Sequence, residues 1–467
     1  MDNFTSENLS HDPIHGYIGF VAQPFLAKQE ICERQIIDGV WVQRMRQIRQ
    51  LQTAWWVFPT AEHTRFQHIL GVMHLASRAV AGLYESLLEI DPTTPSLYYV
   101  ESLIRMAGLL HDVGHGPFGH FFDAHFLGHY GLTHEVLGAH IITHELAGDL
   151  SQVRRCPSGE LLSGETLDPI QVAWLIQRPK VSTAEPDQPF WLQLLRSLFC
   201  GIYTIDNMDF VLRDSFMTGL SPRSFDLQRI LHYSRYTQQG LTIHERGMPA
   251  LIHFLSMKAE LFRNVYFHRT VRAIDLELAE LFANSRKYLF PGDPREHLDA
   301  YLDLTEFSLL TDVKRWRKSS DPGLSTLGDQ WHRWLSRRIP WTMICQRNLS
   351  FVDGQNENCS VFATPSALRH YLQERLPTDL KNLPFAVDVA RHMHRPHTRG
   401  ATSGLNFYFD STTRQVRPLT MHGLYQRLPV SHTIARIYAH DLSHQALFSE
   451  LIDQLVGPSM EDDATNM

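Results

Sequence analysis

The sequence is short of cysteine, of long apolar runs and of net charge, and each shortage excludes a class of protein. Five cysteines occur in 467 residues (Cys32, Cys156, Cys200, Cys345 and Cys359), all far apart. No CxxC spacing exists, so no zinc or dithiol redox motif is encoded, and an odd number argues against a disulfide framework. A reducing cytoplasm is the expected compartment. No run approaches the ~20 apolar residues that span a bilayer. The stretch from Met1 to Asp12 is polar and lacks the basic-then-apolar order of a secretory leader. The formal net charge is −7, so bulk charge gives no support to nucleic-acid binding. Internal repeats and low-complexity tracts are missing as well.

What the chain does have is histidine, 27 copies of it, and apolar helical periodicity. The hydrophobic share of 43% and the charged share of 20% are ordinary for a globular protein. Helical patterns run over 66–90, ending before Asp91-Pro92, over 98–112, and from Thr133, a capping residue, to Leu146. They return over 190–217 and 249–289. Ser151 to Asp168 and Gln177 to Pro189 read as polar loops. Pro291-Gly292-Asp293-Pro294 is a break, and Ser319 to Gly323 another. The expected fold is mainly α: a helical bundle over 1–290, then a mostly helical region over 291–458 carrying a small β-hairpin from Leu405 to Leu419. A helix is expected from His432 to Leu455, and a disordered tail over 459–467. The stretch from Arg391 to Gly400, with three histidines and three arginines, reads best as a solvated loop.

The densest chemistry is Leu109-Leu110-His111-Asp112-Val113-Gly114-His115-Gly116-Pro117-Phe118-Gly119-His120. An adjacent His and Asp offer a neutral nitrogen and an anionic oxygen to one cation, a mix that suits a divalent transition metal. Apolar residues before the pair place it at the end of a buried helix, and Gly-His-Gly-Pro then breaks that helix. Two ligands hold a metal weakly, so other segments must complete the site. Arg65 and His68 share one helical face. Asp206, Asp209 and Arg213 share another, and acids in that apolar stretch are costly to bury unless paired or metal-bound. For Asp209 with Arg213 an ordinary salt bridge is an equal reading.

In order along the chain, these segments resemble the HD-domain phosphohydrolases, specifically the deoxynucleoside triphosphate triphosphohydrolase branch. The resemblance begins at His11-Asp12-Pro13-Ile14-His15-Gly16 and continues through Gln43 to Leu51 and Val57-Phe58-Pro59. It then takes in His63-Thr64-Arg65-Phe66-Gln67-His68, the His111-Asp112 run, Leu132-Thr133-His134-Glu135 and Asp206 to Asp214, and reaches Tyr266 to Arg272. Beyond about residue 285 no family motif is visible. The resemblance implies a helical HD bundle with His68, His111, Asp112 and Asp206 as ligands of a divalent metal (Mn, Fe, Mg, Zn or Ni). It implies that His115, His120, Asp123 and His134 surround the scissile phosphate, with His120 as proton donor oriented by Asp123, and that Arg65 grips the α-phosphate. Gln50, Leu51 and Asp214 match sugar contacts. The implied reaction releases deoxynucleoside and intact triphosphate from a dNTP.

Three positions depart from the better-known members. Asn207 stands where a phosphate-binding lysine is usual, and Phe210 where a tyrosine is. A substrate-contacting tyrosine corresponds to Arg272, a cation able to replace the missing lysine. Asp12, Asp38, Gln43 and Arg46 match positions that bind an activating guanine nucleotide between subunits, which implies homo-oligomers (dimer, tetramer or hexamer). The same segment also reads as an amphipathic helix with a solvated basic face. Other HD chemistries stay open, namely a nucleoside monophosphate phosphatase or a cyclic-nucleotide phosphodiesterase. So does a nucleotide-binding regulator with little turnover. Nucleotide-pool control and defence against phage would use the same chemistry.

Overall fold

In a computed structural model of the chain, residues 7–22, 30–178, 188–351, 361–393 and 406–456 are described. The expected tail over 459–467, most of the Gln177–Pro189 loop and residues 394–400 of the Arg/His stretch lie outside them. The architecture is mainly helical with a few small sheets. Two compact units interleave along the sequence. Unit one gathers 1–258, 286–312 and 397–426, and unit two gathers 259–285, 313–396 and 427–467. The division into a core over 1–290 and a C-terminal region over 291–458 stays a proposal.

Unit one is built around α1 (Arg65–Ile90) and α2 (Leu97–Leu110). Thr64 and Gln67 form a capping box that starts α1, and Ser96 caps α2 by accepting from the Tyr99 amide. Such caps satisfy amides that a helix end leaves orphaned. Every residue of α2 from Tyr99 to Leu110 is buried, so α2 is the central helix. Each fully buried Leu or Ile on it stabilises the unit by roughly 1.5–3 kcal/mol. Short α3 (His120–His125) and α4 (His134–His144) follow, with Thr133 capping α4 as expected. The pattern over 190–217 is broken: helix Phe190–Leu195 ends early, and α5 (Ile205–Met217) restarts at the Thr204 cap. The pattern over 249–289 is likewise split. Helix α6 (Met248–Leu261) gives way to a π-turn over Phe262–Tyr266 and then to helix Arg269–Leu289. Two further helices, α7 (Leu298–Asp303) and α8 (Glu306–Trp316), complete the set used below.

An N-terminal hairpin pairs Glu7–Asp12 with Gly16–Val21. The hairpin expected near 405–419 is realised as Asn406–Asp410 paired with Gln415–Pro418. Its first strand also runs parallel to Gly240–His244, which pairs with Ser234–Thr237, so unit one holds a four-stranded sheet. That parallel pairing joins Leu241–His244 to Asn406–Phe409, 165 residues further along the chain, and is invisible to any local pattern.

Unit two contains the main correction to the expected elements. The helix predicted over 432–455 exists only from Gln445 to Val456. Before it, Ser431–Ala439 is the central strand of a three-stranded antiparallel sheet, hydrogen-bonded to Thr342–Phe351 on one edge and Phe385–Met393 on the other. Thr433, Ile434, Ile437 and Tyr438 are the β-branched and aromatic residues that favour a pleated, two-sided site. The inward face packs Ala435, Ile437 and Ile344 against Leu368, Leu372, Phe448 and Ile452 of the covering helices.

Candidate metal centre and active site

Three helix ends meet in unit one. His68 stands in the first turn of α1, His111 and Asp112 follow the last turn of α2, and Asp206 lies in the first turn of α5. A helix N-terminus carries partial positive charge, which favours the Asp206 carboxylate there. Glycines permit the approach. A Cβ on Gly71 would collide with Asp209 and Arg213, and one on Gly114 with the His134 carbonyl.

His68 Nε2 is 3.1 Å from Asp206 Oδ1 and 3.9 Å from Asp112 Oδ2. His111 Nε2 is 3.4 Å from Asp112 Oδ1 and 3.7 Å from Asp206 Oδ1. His68 Nδ1 donates to Asp209 Oδ2 at 2.8 Å, and His111 Nδ1 to the Gly108 carbonyl at 2.8 Å. With both Nδ1 atoms so engaged, both Nε2 atoms are turned toward the carboxylates, where an ion bound among them would take the place of a ring proton and receive the nitrogen lone pair. His111 Nε2 is buried without a hydrogen-bond partner among the described residues. An orphaned buried nitrogen, a second imidazole and two carboxylates within reach fit one divalent transition ion.

The charges in this cluster are strongly coupled. Burial alone would lower His68, but hydrogen bonds to Asp206 and Asp209 raise it to about 10. Burial would raise Asp206, yet the His68 bond and the His111 charge hold it low. Burial acts likewise on Asp112 and is outweighed by Arg65, His111 and His115. Arg65 Nη1 lies 2.6 Å from Asp112 Oδ2.

Beside these residues sits a second cluster. His115 is fully buried, with Nε2 3.4 Å from Asp112 Oδ1 and Nδ1 3.7 Å from Asp123 Oδ1. Its ring stacks on His134 at 3.7 Å between centroids. His134 Nδ1 donates to Asp123 Oδ2 at 2.5 Å, and His120 Nδ1 lies 3.4 Å from the same oxygen. His120 is 66% exposed, the open member of the group. Burial would raise Asp123, but the charges of His115 and His134 hold it well below the usual carboxylate range.

Behind the first cluster runs a buried network. Asp209 receives His68, Arg213 (2.9 and 3.0 Å) and His15 Nε2 (2.7 Å). Arg213 also donates to Asp12 at 2.7 Å. The Asp209–Arg213 salt bridge therefore exists and orients a candidate ligand besides. Asp12 is buried, and its other oxygen caps the amides of Ile14 and His15 at 2.9 Å each. Asp38 is exposed and pairs with Arg34, while Gln43 accepts from Arg46, whose guanidinium covers the Phe66 ring. Leu51 is buried, and Gln50 Oε1 is a buried atom without a hydrogen-bond partner among the described residues. Asp214 receives His63 Nε2 at 2.8 Å in a fully buried pair.

Sequence reasoning missed one cation. Lys258 on α6 donates to Asn207 Oδ1 at 2.8 Å and lies over the Phe210 ring at 5.6 Å. Burial lowers it to about 8, against the pull of Asp206. A lone lysine in the apolar pattern of α6 was the available signal. Arg272 belongs to unit two, where its guanidinium is committed to Asp388 at 2.6 Å.

Residues 65–156 match the HD domain family, the stretch that carries Arg65, His68, His111, Asp112, His115, His120, Asp123 and His134. The deoxynucleoside triphosphate triphosphohydrolase SAMHD1 of Bos taurus is 27% identical over 478 residues, spanning 94% of this chain and 76% of its own. The human protein of that name is 25% identical over 476 residues, with 94% and 71% covered. The uncharacterized protein YwfO of Bacillus subtilis is 28% identical over 352 residues, with 72% and 71% covered. A crystal structure of a hypothetical protein from Aquifex aeolicus superposes with a TM-score of 0.67 at 22% identity, covering 96% of this chain and 100% of its own, and so shares the fold. The chain carries an HD domain, and over most of its length it resembles the deoxynucleoside triphosphate triphosphohydrolase branch of that superfamily. No helix among the described residues is long and apolar enough to cross a membrane.

Proposed function

We propose that this protein is a metal-dependent deoxynucleoside triphosphate triphosphohydrolase, converting dNTP and water to deoxynucleoside and tripolyphosphate. The carrying observation is the meeting of the two clusters at Asp112, whose Oδ1 lies 3.4 Å from both His111 Nε2 and His115 Nε2 while its Oδ2 lies 3.9 Å from His68 Nε2. His68, His111, Asp112 and Asp206 would hold the ion. When bound, a divalent ion supplies Lewis acidity toward water and a phosphoryl oxygen.

The remaining work falls to the chain. Water attacks the α-phosphorus, the bond to the sugar 5′-oxygen breaks, and that oxygen takes a proton. His120, open to solvent and 3.4 Å from Asp123, is the donor, because a carboxylate stabilises the imidazolium and fixes its orientation. His115 and His134, both close to Asp123, keep that carboxylate ionised. Arg65, beside Asp112, meets the α-phosphate and offsets charge developing there. Lys258, held at Asn207 and Phe210, takes the triphosphate role that Asn207 lacks, and we give it that role in place of Arg272. Gln50, Leu51 and Asp214 face the sugar. Activation by a second nucleotide, with assembly into homo-oligomers, belongs to the same proposal. It rests on Asp38, Gln43 and Arg46, since Asp12 already satisfies Arg213 and two amides.

The test is chromatographic product analysis of the purified protein with Mn²⁺ or Mg²⁺ and each of the four dNTPs, singly and mixed. Deoxynucleoside plus tripolyphosphate is the expected result, and activity confined to the mixture would mark an activator. Pyrophosphate or phosphate would move the cleavage site. No product from metal-loaded protein would turn the reading to monophosphates, to cyclic nucleotides, and then to a regulator.

A further inference from the structure

The turn from Gly114 to Gly119 carries His115 and leads into His120, yet it holds Phe118 in a backbone conformation that a residue with a Cβ disfavours. Phe118 has φ +64° and Gly119 φ +55°. For a residue with a Cβ that region costs roughly 1–2 kcal/mol, and Phe118 is fully buried. Such strain persists only where surrounding structure imposes it.

Three side chains from outside the turn impose it here. Tyr301 Oη donates to the Gly114 carbonyl at 2.8 Å. Arg44 donates to the His115 carbonyl at 2.6 Å and, with its other nitrogen, to the Leu304 carbonyl at 2.7 Å. Glu306 Oε1 accepts the Phe118 amide at 3.0 Å and the Arg49 amide at 3.1 Å, while Oε2 lies 3.2 Å from Arg49 Nη1. Tyr301 and Glu306 come from α7 and α8, and Arg44 and Arg49 from residues 40–50, segments that contribute nothing to either cluster. The Glu306 side chain is completely buried. Burying a carboxylate is costly, and burial pushes this one up to about 7 despite Arg49 and the two amides. An apolar side chain would fill the space without that cost, so the property that distinguishes Glu306 is an acceptor aimed at the Phe118 amide.

We propose that Glu306 is a positioning residue: by accepting the Phe118 amide it holds the left-handed turn that sets His115 against Asp112 and His120 against Asp123. The inference rests on the catalytic reading of those histidines given above. Its test compares Glu306→Ala, Glu306→Leu and Glu306→Gln in the full chain with Mn²⁺. Leucine fills the volume where alanine leaves a cavity, which keeps the test open if the alanine variant does not fold. Hydrogen–deuterium exchange over 114–122, steady-state kinetics on mixed dNTPs, and metal content are read together.

In the Ala and Leu variants, amide exchange over 114–119 should rise at least about tenfold while that of α1 and α2 stays the same. In those variants kcat should fall at least about tenfold, with KM and metal content unchanged. Glu306→Gln keeps an acceptor oxygen and should stay within about threefold of wild type in both readouts. Unchanged exchange over 114–119, a glutamine variant no better than the leucine one, or a loss of kcat accompanied by loss of metal would each overturn the proposal. Wild-type protein that releases nothing from any dNTP would overturn the proposed function and the catalytic half of this inference, and exchange would still decide whether Glu306 holds the turn.

Discussion

Around Asp206, the imidazoles are tied down by their Nδ1 atoms, to Asp209 and to the Gly108 carbonyl, and their Nε2 atoms face the carboxylates. Around Asp123 the arrangement is reversed: the Nδ1 atoms of His115, His120 and His134 are the ones that face the carboxylate. Both groups contain histidine and aspartate at distances that could hold an ion. In the first, acceptors outside the cluster take the ring protons and leave lone pairs for a cation. In the second, one carboxylate faces three imidazoles, which suits holding and passing a proton. On the proposed reading, the same residue types are divided between two tasks by which nitrogen has a partner behind it.

The sharpest way to break this comparison is to remove one member from each side. Asp206→Ala should abolish bound metal and turnover together, read by elemental analysis and product release; retention of both would remove Asp206 from the ligand set. His120→Ala should keep its metal and lose turnover by about 10²–10⁴-fold, the usual span for a general acid. A drop in metal content in that variant would mean that the second cluster also binds the ion. One step further back, Asp209→Asn should weaken metal affinity about 10–100-fold, as loss of a group orienting a ligand does. Competition with a chelator measures it, and unchanged affinity would make the Asp209–Arg213 pair a purely structural one.

Smaller effects are expected at the edges of the two clusters. Lys258→Ala should raise KM for dNTP about tenfold with metal content unchanged, in line with a charge-assisted hydrogen bond. Because burial lowers Lys258 to about 8, the KM of the wild type should begin to climb as pH passes that value, and the variant should lack the rise. The smallest effect concerns stability. Glu306 has a folded pKa of about 7, above the 4.5 of an unperturbed glutamate. Its contribution is therefore fully present below the unfolded pKa and lost as pH rises through about 7. The melting temperature of wild type should fall between about pH 4.5 and pH 7 by more than that of Glu306→Gln, and equal falls would count against a buried, titrating carboxyl.

The candidate cluster was legible largely because its residues lie at helix ends that apolar periodicity marks. Leu109-Leu110 before His111-Asp112 reads as a buried helix terminus, and α1, α2 and α4 run close to their expected limits. Legibility failed where the partner is distant. Ser431–Ala439 became a strand because two other strands bond to its edges, and a mixed apolar pattern does not distinguish that site from a helix. Asp209 showed its pairing with Arg213 through their i, i+4 spacing. Its bonds to His68 and His15 span 141 and 194 residues and left no local trace.

By itself, then, the sequence determined the helical class, the chemistry on offer and the order of the blocks that carry it, because periodicity, capping and residue type are local properties. Tertiary structure alone decided the rest. It decided which nitrogen of each histidine is engaged, and that Lys258 stands at Asn207. It also decided that Glu306 holds a strained turn 188 residues away in sequence. Each of these depends on a contact between segments far apart in the chain, where geometry, burial and the competition for hydrogen bonds are set only when the helices have packed.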